Sequence, residues 1–119
     1  MAYVDGFVTP VPKKKLAAYK RISAKVGGIM REHGALEFRE CLADDVKWGK
    51  RTSFLRAVKT KPGETVFFSY IVFKSRAHRD RVNARVMKDK RMRPMMDPKT
   101  WPFDGKRLIY GGFKVMVDL

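Results

Sequence analysis

Acid–base side chains recur at alternating positions near both ends of the 119-residue chain. Asp5 lies in an alternating segment at the beginning, and Tyr110 and Lys114 lie in a similar segment at the end. Alternate side chains on a strand share a face, so these groups can meet on one face of a sheet. Burial there would raise the pKa of a carboxylate toward the range that a general base needs. The candidates for a ligand pocket are Asp5, Tyr70, Tyr110 and Lys114, and a structural Asp5–Lys114 ion pair at a dimer interface is the alternative.

Motifs for metal, nucleotide or nucleophilic chemistry are missing. The two histidines and the lone Cys41 fall in three separate elements, which argues against a metal site. His78-Arg79-Asp80 is similar to a kinase catalytic loop, but Asn83 follows at the wrong spacing and no glycine-rich phosphate loop accompanies it. The residues therefore imply no metal and no cofactor, and they leave open whether the protein is an enzyme.

Basic residues dominate the charge, with 27 Lys and Arg against 12 Asp and Glu and a net charge of +15. Much of the excess falls in the two segments with helical periodicity, residues 12–34 and 75–93. A positive face of this kind can bind a nucleic-acid backbone without sequence preference. The aromatic residues do not interleave with these charges, so a merely solvated surface is the alternative. The polyanion-binding candidates are Arg76, Arg79, Arg85 and Lys88.

Hydrophobic periodicity predicts four strands and two helices. The strands cover residues 3–11, 35–46, 65–74 and 106–119, and the last but one is apolar on both faces, as expected of a central strand. One helix runs from Pro12 to Gly34, and the other runs from the N-cap Ser75 to about Lys90. The order is that of a ferredoxin-like βαββαβ fold of class α+β. We predict a single domain over residues 1–119, with a four-stranded antiparallel sheet and both helices on one face.

Two helices cover one face of such a sheet and leave the other without a partner. We assign Tyr3, Phe7, Leu108 and Tyr110 to that helix-free face, where their size and apolarity predict an interface. A homodimer that joins the two sheets into a dimeric α/β barrel is the expected arrangement. The alternative is a monomer in which residues 47–64 and 93–105 fold over the face. In the latter segment, Met96, Trp101 and Phe103 are candidates for a lid over a pocket.

Several stretches carry a family resemblance. They are Tyr3-Val4-Asp5-Gly6-Phe7, Lys61-Pro62-Gly63-Glu64, Ser75-Arg76-Ala77-His78-Arg79-Asp80 and Pro102-Phe103-Asp104-Gly105-Lys106-Arg107-Leu108-Ile109-Tyr110-Gly111-Gly112-Phe113. Together they resemble the YbaA-like bacterial proteins, a domain of unknown function. The resemblance implies a place in the dimeric α/β-barrel superfamily, whose members include cofactor-independent monooxygenases and heme-degrading enzymes. It carries over no catalytic residue.

Four functions are compatible with these observations. The favoured hypothesis is a homodimer that binds a small apolar or aromatic molecule between the sheet and its covering elements. The alternatives are an RNA-binding module that uses the helix faces and a cofactor-independent monooxygenase-like enzyme, beside an interaction protein without a ligand. The lone cysteine and the lack of a signal peptide or apolar span predict a cytoplasmic location and no membrane partner.

Overall fold

The computed structural model describes residues 1–119. Short turns of 3-10 helix lie at Lys13–Lys15, Lys90–Met95 and Pro98–Thr100. The remaining elements, in chain order, are β1 (Tyr3–Pro12), α1 (Leu16–Glu32), β2 (Glu37–Leu42), α2 (Phe54–Ala57), β3 (Glu64–Phe73), α3 (Arg76–Lys88) and β4 (Ile109–Lys114).

The strands form one antiparallel sheet in the order β2-β3-β1-β4. The predicted α+β class and four-stranded antiparallel sheet are confirmed. β1 and β3 are the two central strands, and their ten-residue pairing runs from Tyr3 opposite Phe73 to Pro12 opposite Glu64. The strand apolar on both faces in the sequence, β3, is therefore central, as its pattern predicts.

The prediction that Tyr3 and Phe7 lie on the helix-free face is wrong. Tyr3 is 7% exposed and belongs to the main core cluster with Ile29 of α1 and Val82 of α3. Alternation along β1 and the register with β3 put Asp5, Phe7 and Thr9 on the same, helix-covered face. The alternation of side chains along a strand correctly assigns residues to two faces of the sheet, but it does not show which face meets the helices.

Both long helices pack on this face, and local sequence explains where α3 begins and how closely α1 approaches the sheet. Ser75 caps α3 as predicted, since its hydroxyl accepts a hydrogen bond from the His78 amide over 3.1 Å. In α1, a Cβ built on Gly27 would lie 2.6 Å from the Phe38 ring of β2. The absent side chain at Gly27 thus lets this helix rest directly on an aromatic ring of the sheet.

The segments that leave the sheet differ most from the predictions. The long excursion after β2 contains α2, whose Phe54 packs edge-on against Phe68 of β3 with ring centroids 5.9 Å apart. β4 spans six residues rather than residues 106–119, and the apolar tail beyond it is exposed at Met116, Val117 and Leu119. The sheet keeps further exposed apolar side chains on the helix-free face, among them Phe68 and Phe113.

Candidate ligand cavity

A cavity of about 300 Å³ lies between α1 and the helix-covered face of the sheet. Eleven of its 16 lining residues are hydrophobic. The strands contribute its floor through Phe7, Phe38 and Ile71, and α1 forms one wall through Ile22 and Val26. This volume is at the lower end of the range for small-molecule sites.

The far side of the cavity is closed by the segment that follows α3. Trp101 and Phe103 line it with stacked rings 5.3 Å apart, and Met92 and Met95 lie beside them. The indole of Trp101 donates a hydrogen bond to the Met95 carbonyl over 2.8 Å, which fixes the ring against its own segment. Two of the three lid candidates thus border the cavity. The third, Met96, is half-buried and is not among the lining residues.

One polar cluster stands in this apolar cavity, centred on the Glu40 carboxylate of β2. Its Oε1 accepts hydrogen bonds from the Tyr19 hydroxyl over 2.9 Å and from the Ser69 hydroxyl. Its Oε2 accepts one from the Ser23 hydroxyl over 2.6 Å. The three hydroxyl residues are all buried. Glu40 is therefore held by three neutral donors, one each from Tyr19, Ser23 and Ser69.

The electrostatics of this cluster keep the Tyr19 phenol protonated, so that it remains a hydrogen-bond donor. Burial raises the pKa of the Tyr19 phenol, and the negative charge of Glu40 raises this pKa further. The phenol consequently stays protonated well above pH 10. None of the protein's ion pairs includes Glu40, so the carboxylate has no cationic partner of its own.

The predicted pocket residues do not meet in one site. Asp5 is buried under α3, where Arg79 donates to its Oδ1 over 2.8 Å. Tyr70 lies on the opposite, helix-free face, because it pairs in register with Gly6 and not with Asp5. Tyr110 stacks on Phe7 at the edge of the helix-covered face. Lys114, opposite Tyr3, is exposed. None of these four lines the cavity.

Within the chain, Asp5 forms an ion pair with Arg79 and not with Lys114. Arg79 replaces Lys114, since α3 delivers its guanidinium to Asp5 and lays it over the Tyr3 ring at 4.9 Å. Burial raises the pKa of Asp5, and Arg79 opposes that rise. The Tyr3 ring also lies against β4, since a Cβ on Gly112 would lie only 2.7 Å from the ring carbon Cε2. This close approach accounts for a glycine within β4.

Two of the four polyanion-binding candidates make contacts within the chain, although Arg85 is itself exposed. Arg79 bridges Asp5 and Asp80, and Arg85 donates to the His33 carbonyl over 3.1 Å. Arg76 and Lys88 are exposed. Binding of RNA by the helix faces remains a prediction. Within the chain, Arg79 connects α3 to the sheet through Asp5.

The residues that sequence reasoning missed are Tyr19, Ser23, Glu40 and Ser69. Tyr19 and Ser23 lie one helical turn apart on α1, which is a readable signal for a shared face. Glu40 and Ser69 are opposite each other in the β2–β3 register, which no local pattern reveals. No group of three or more His, Cys, Asp or Glu side chains is arranged to hold a metal ion. No helix is long and apolar enough to span a membrane.

Comparison with known proteins gives a family without an assigned activity. The chain is 47% identical over 118 residues to the uncharacterized protein YbaA of Escherichia coli K12, covering 99% of each chain. The same figures hold for YbaA of Shigella flexneri. Among solved structures, the de novo designed protein Foldit4 aligns at 11% identity and a TM-score of 0.49, over 97% of this chain and 99% of its own. Residues 2–105 match the family described as "Protein of unknown function (DUF1428)", which confirms the YbaA-like resemblance; the chain belongs to this family.

Proposed function

We propose that the protein binds a small apolar or aromatic molecule in the cavity between α1 and the sheet. The observation that carries this proposal is the composition of the cavity, which is apolar on most sides and has one hydrogen-bonded carboxylate at Glu40. Pockets that bind small ligands combine apolar walls with a few placed polar groups in this way.

The construction of the cavity supports binding rather than simple core packing. Its floor and one wall come from the strands and α1, while Trp101 and Phe103 come from a segment of short turns that joins α3 to β4. Such a segment can move aside without breaking the sheet, because its backbone makes no ladder hydrogen bonds. A ligand would then enter past these two rings and rest against Phe7 and Phe38.

The two tryptophans make the proposal directly testable. Trp101 borders the cavity, whereas Trp48 lies in the excursion after β2, under the Arg56 guanidinium at 4.9 Å. We would titrate the ¹⁵N-labelled full chain with naphthalen-1-ylmethanol and follow both indole N–H signals by NMR. Binding in the cavity is expected to shift the Trp101 signal in a saturable manner and to leave the Trp48 signal in place.

A pair of substitutions on α1 controls the experiment. Val26→Phe fills the cavity and should weaken the saturable Trp101 shift at least about tenfold, because the added ring occupies the ligand's space. Ala17→Phe adds the same ring at an exposed position of the same helix and should leave the titration unchanged. Equal binding by both variants, or no response of Trp101 in the unmodified chain, would contradict the proposal.

We further propose that two copies associate through the helix-free face of the sheet. On this face the central strands β1 and β3 carry Val4, Val8, Val72 and the exposed ring of Phe68, and the edge strand β4 carries the exposed ring of Phe113. α2 covers only the end near Phe68. The predicted dimer interface thus has a basis, with different residues from those assigned to it in the sequence.

The surface area supports a second copy as the occupant. The chain exposes 8377 Å² and extends over 38 × 37 × 20 Å, a flat slab one sheet and one helix layer thick. A compact monomer of this mass exposes about 6,600 Å². The excess is larger than the roughly 800 Å² per partner that a standard interface buries.

Sedimentation equilibrium of matched variants tests the dimer. Phe113 and Met87 are each 63% exposed, the first on the helix-free face and the second on α3. Phe113→Glu should convert a dimer to a monomer, because it places a charge in the apolar interface. Met87→Glu should leave the dimer intact. A monomeric unmodified chain at micromolar concentration would exclude this association.

A further inference from the structure

We infer that the cavity selects a small organic cation, a protonated amine carried on an apolar or aromatic body. This inference rests on the proposed ligand-binding function and specifies the chemistry of the ligand. The observation that supports it is the position of the Glu40 carboxylate, which has no ion-pair partner, in a cavity lined by aromatic side chains. These aromatic residues are Phe7, Tyr19, Phe38, Trp101 and Phe103.

The hydrogen bonds of Glu40 leave room for one more donor. Each carboxylate oxygen has two acceptor sites. Oε1 uses both for Tyr19 and Ser69, whereas Oε2 uses one for Ser23. The remaining site on Oε2 suits an N–H donor of a ligand, and a charged donor makes the stronger hydrogen bond.

The one carboxylate in the cavity, Glu40, forms no ion pair, although the protein as a whole is strongly positive. The three hydroxyl donors hold the Glu40 charge in place but do not neutralise it, and no Lys, Arg or His forms an ion pair with it. Arg39 is the one cation among the lining residues, and its position opposite Tyr70 places it on the other face of the sheet. An ammonium group supplies the missing positive charge, while a carboxylate ligand would be repelled.

The aromatic walls favour the same chemistry. A cation over the face of an aromatic ring is attracted by the ring quadrupole, and cages of several rings are a recurrent way to bind ammonium groups. Tyr19 and Phe103 meet edge to face at 5.7 Å, and Phe103 stacks on Trp101, so the rings are already ordered around the cavity. Their apolar surfaces accommodate the body of the ligand.

Three probes of one shape and different charge test the inference. We would measure the dissociation constants of naphthalen-1-ylmethylamine, naphthalen-1-ylmethanol and 1-naphthoate for the full chain at neutral pH, by calorimetry and by the Trp101 indole signal. The amine should bind at least about tenfold more tightly than the alcohol. 1-Naphthoate should bind most weakly.

Two variants locate the cause of this preference. Glu40→Gln removes the charge and should bring the ratio of amine to alcohol affinity close to one, with the alcohol titration reporting that the cavity persists. Glu37→Gln removes the same charge at an exposed position of the same strand, outside the cavity, so the preference for the amine should remain. A preference that survives Glu40→Gln would overturn the assignment to this carboxylate.

The probe series separates this inference from the proposed function. Equal affinities for the three probes, or tighter binding of 1-naphthoate, would reject the cationic ligand while leaving an apolar binding site. Absence of any Trp101 response to all three probes would reject both. Because the series uses the unmodified chain, it decides the question even if a variant fails to fold.

Discussion

The hydroxyl of Tyr19 on α1 donates to Oε1 of Glu40 on β2 over 2.9 Å, joining the first helix to an edge strand inside an otherwise apolar cavity. Ser23, one turn further along α1, donates to the other oxygen of the same carboxylate. The helix is therefore positioned over the sheet by two hydrogen bonds to one side chain as well as by apolar packing.

Tyr19→Phe should destabilise the protein by about 2 kcal/mol at pH 7, since it removes a buried hydrogen bond to a charged group. The raised pKa of Tyr19 also determines the direction in which protein stability changes at alkaline pH. Above pH 10 the unfolded state loses the phenolic proton that the folded state retains, so the stability of the unmodified protein falls. Urea unfolding from pH 7 to 11 should show the difference between the two proteins shrinking as pH rises. A constant difference would contradict this role.

Two adjacent glycines in α1 should respond oppositely to alanine. Gly27→Ala places a Cβ 2.6 Å from the Phe38 ring and should destabilise by about 1–3 kcal/mol, because helix or ring must shift. A Cβ built on Gly28 would have no neighbour within 4 Å, so Gly28→Ala should stabilise by up to about 1 kcal/mol through helix propensity. Thermal unfolding of both variants measures the contrast. Stabilisation by both would mean that Phe38 does not pack against this helix.

Breaking the Asp5–Arg79 pair should loosen α3 from the sheet. Arg79→Ala leaves the buried Asp5 carboxylate without its hydrogen-bond donor, and we expect a loss of about 2 kcal/mol. Arg76→Ala, at an exposed position of the same helix, should change stability by less than about 0.5 kcal/mol. Hydrogen exchange of α3 amides should accelerate in the first variant only. Equal effects of the two substitutions would argue against the anchoring role.

His78 should make the protein less stable as pH falls from about 7 to 5. Burial lowers the pKa of His78, and its Nδ1 accepts a hydrogen bond from the Lys74 amide over 3.0 Å. The unfolded state therefore takes up a proton near pH 6.5 that the folded state resists, so acid favours unfolding. His78→Asn retains an acceptor for Lys74 but does not titrate. Its denaturation midpoint should vary less with pH over this range, and an unchanged pH dependence would count against His78 as the source.

The amino-acid sequence determines the helices and strands, because hydrophobic periodicity and capping interactions act within a few residues of each other. The stripe of α1, the N-cap at Ser75 and the two-sided apolarity of β3 were all sufficient for prediction. The shorter β4 escaped prediction because residues beyond Lys114 keep a strand-like pattern without a neighbouring strand to pair with. Pattern alone does not supply a hydrogen-bonding partner.

Tertiary structure decided which sheet face meets the helices, and with it the candidate site. Alternation along β1 places Asp5 on the same face as Tyr3 and Phe7, but only the packing of Tyr3 against α1 and α3 shows that the helices cover this face. The same packing brings Tyr19 from the helix onto Glu40 and Ser69 from two strands, separated by 21 to 50 positions along the chain. Such contacts depend on strand register and helix placement, which arise from summed packing over the whole chain and leave no local signature.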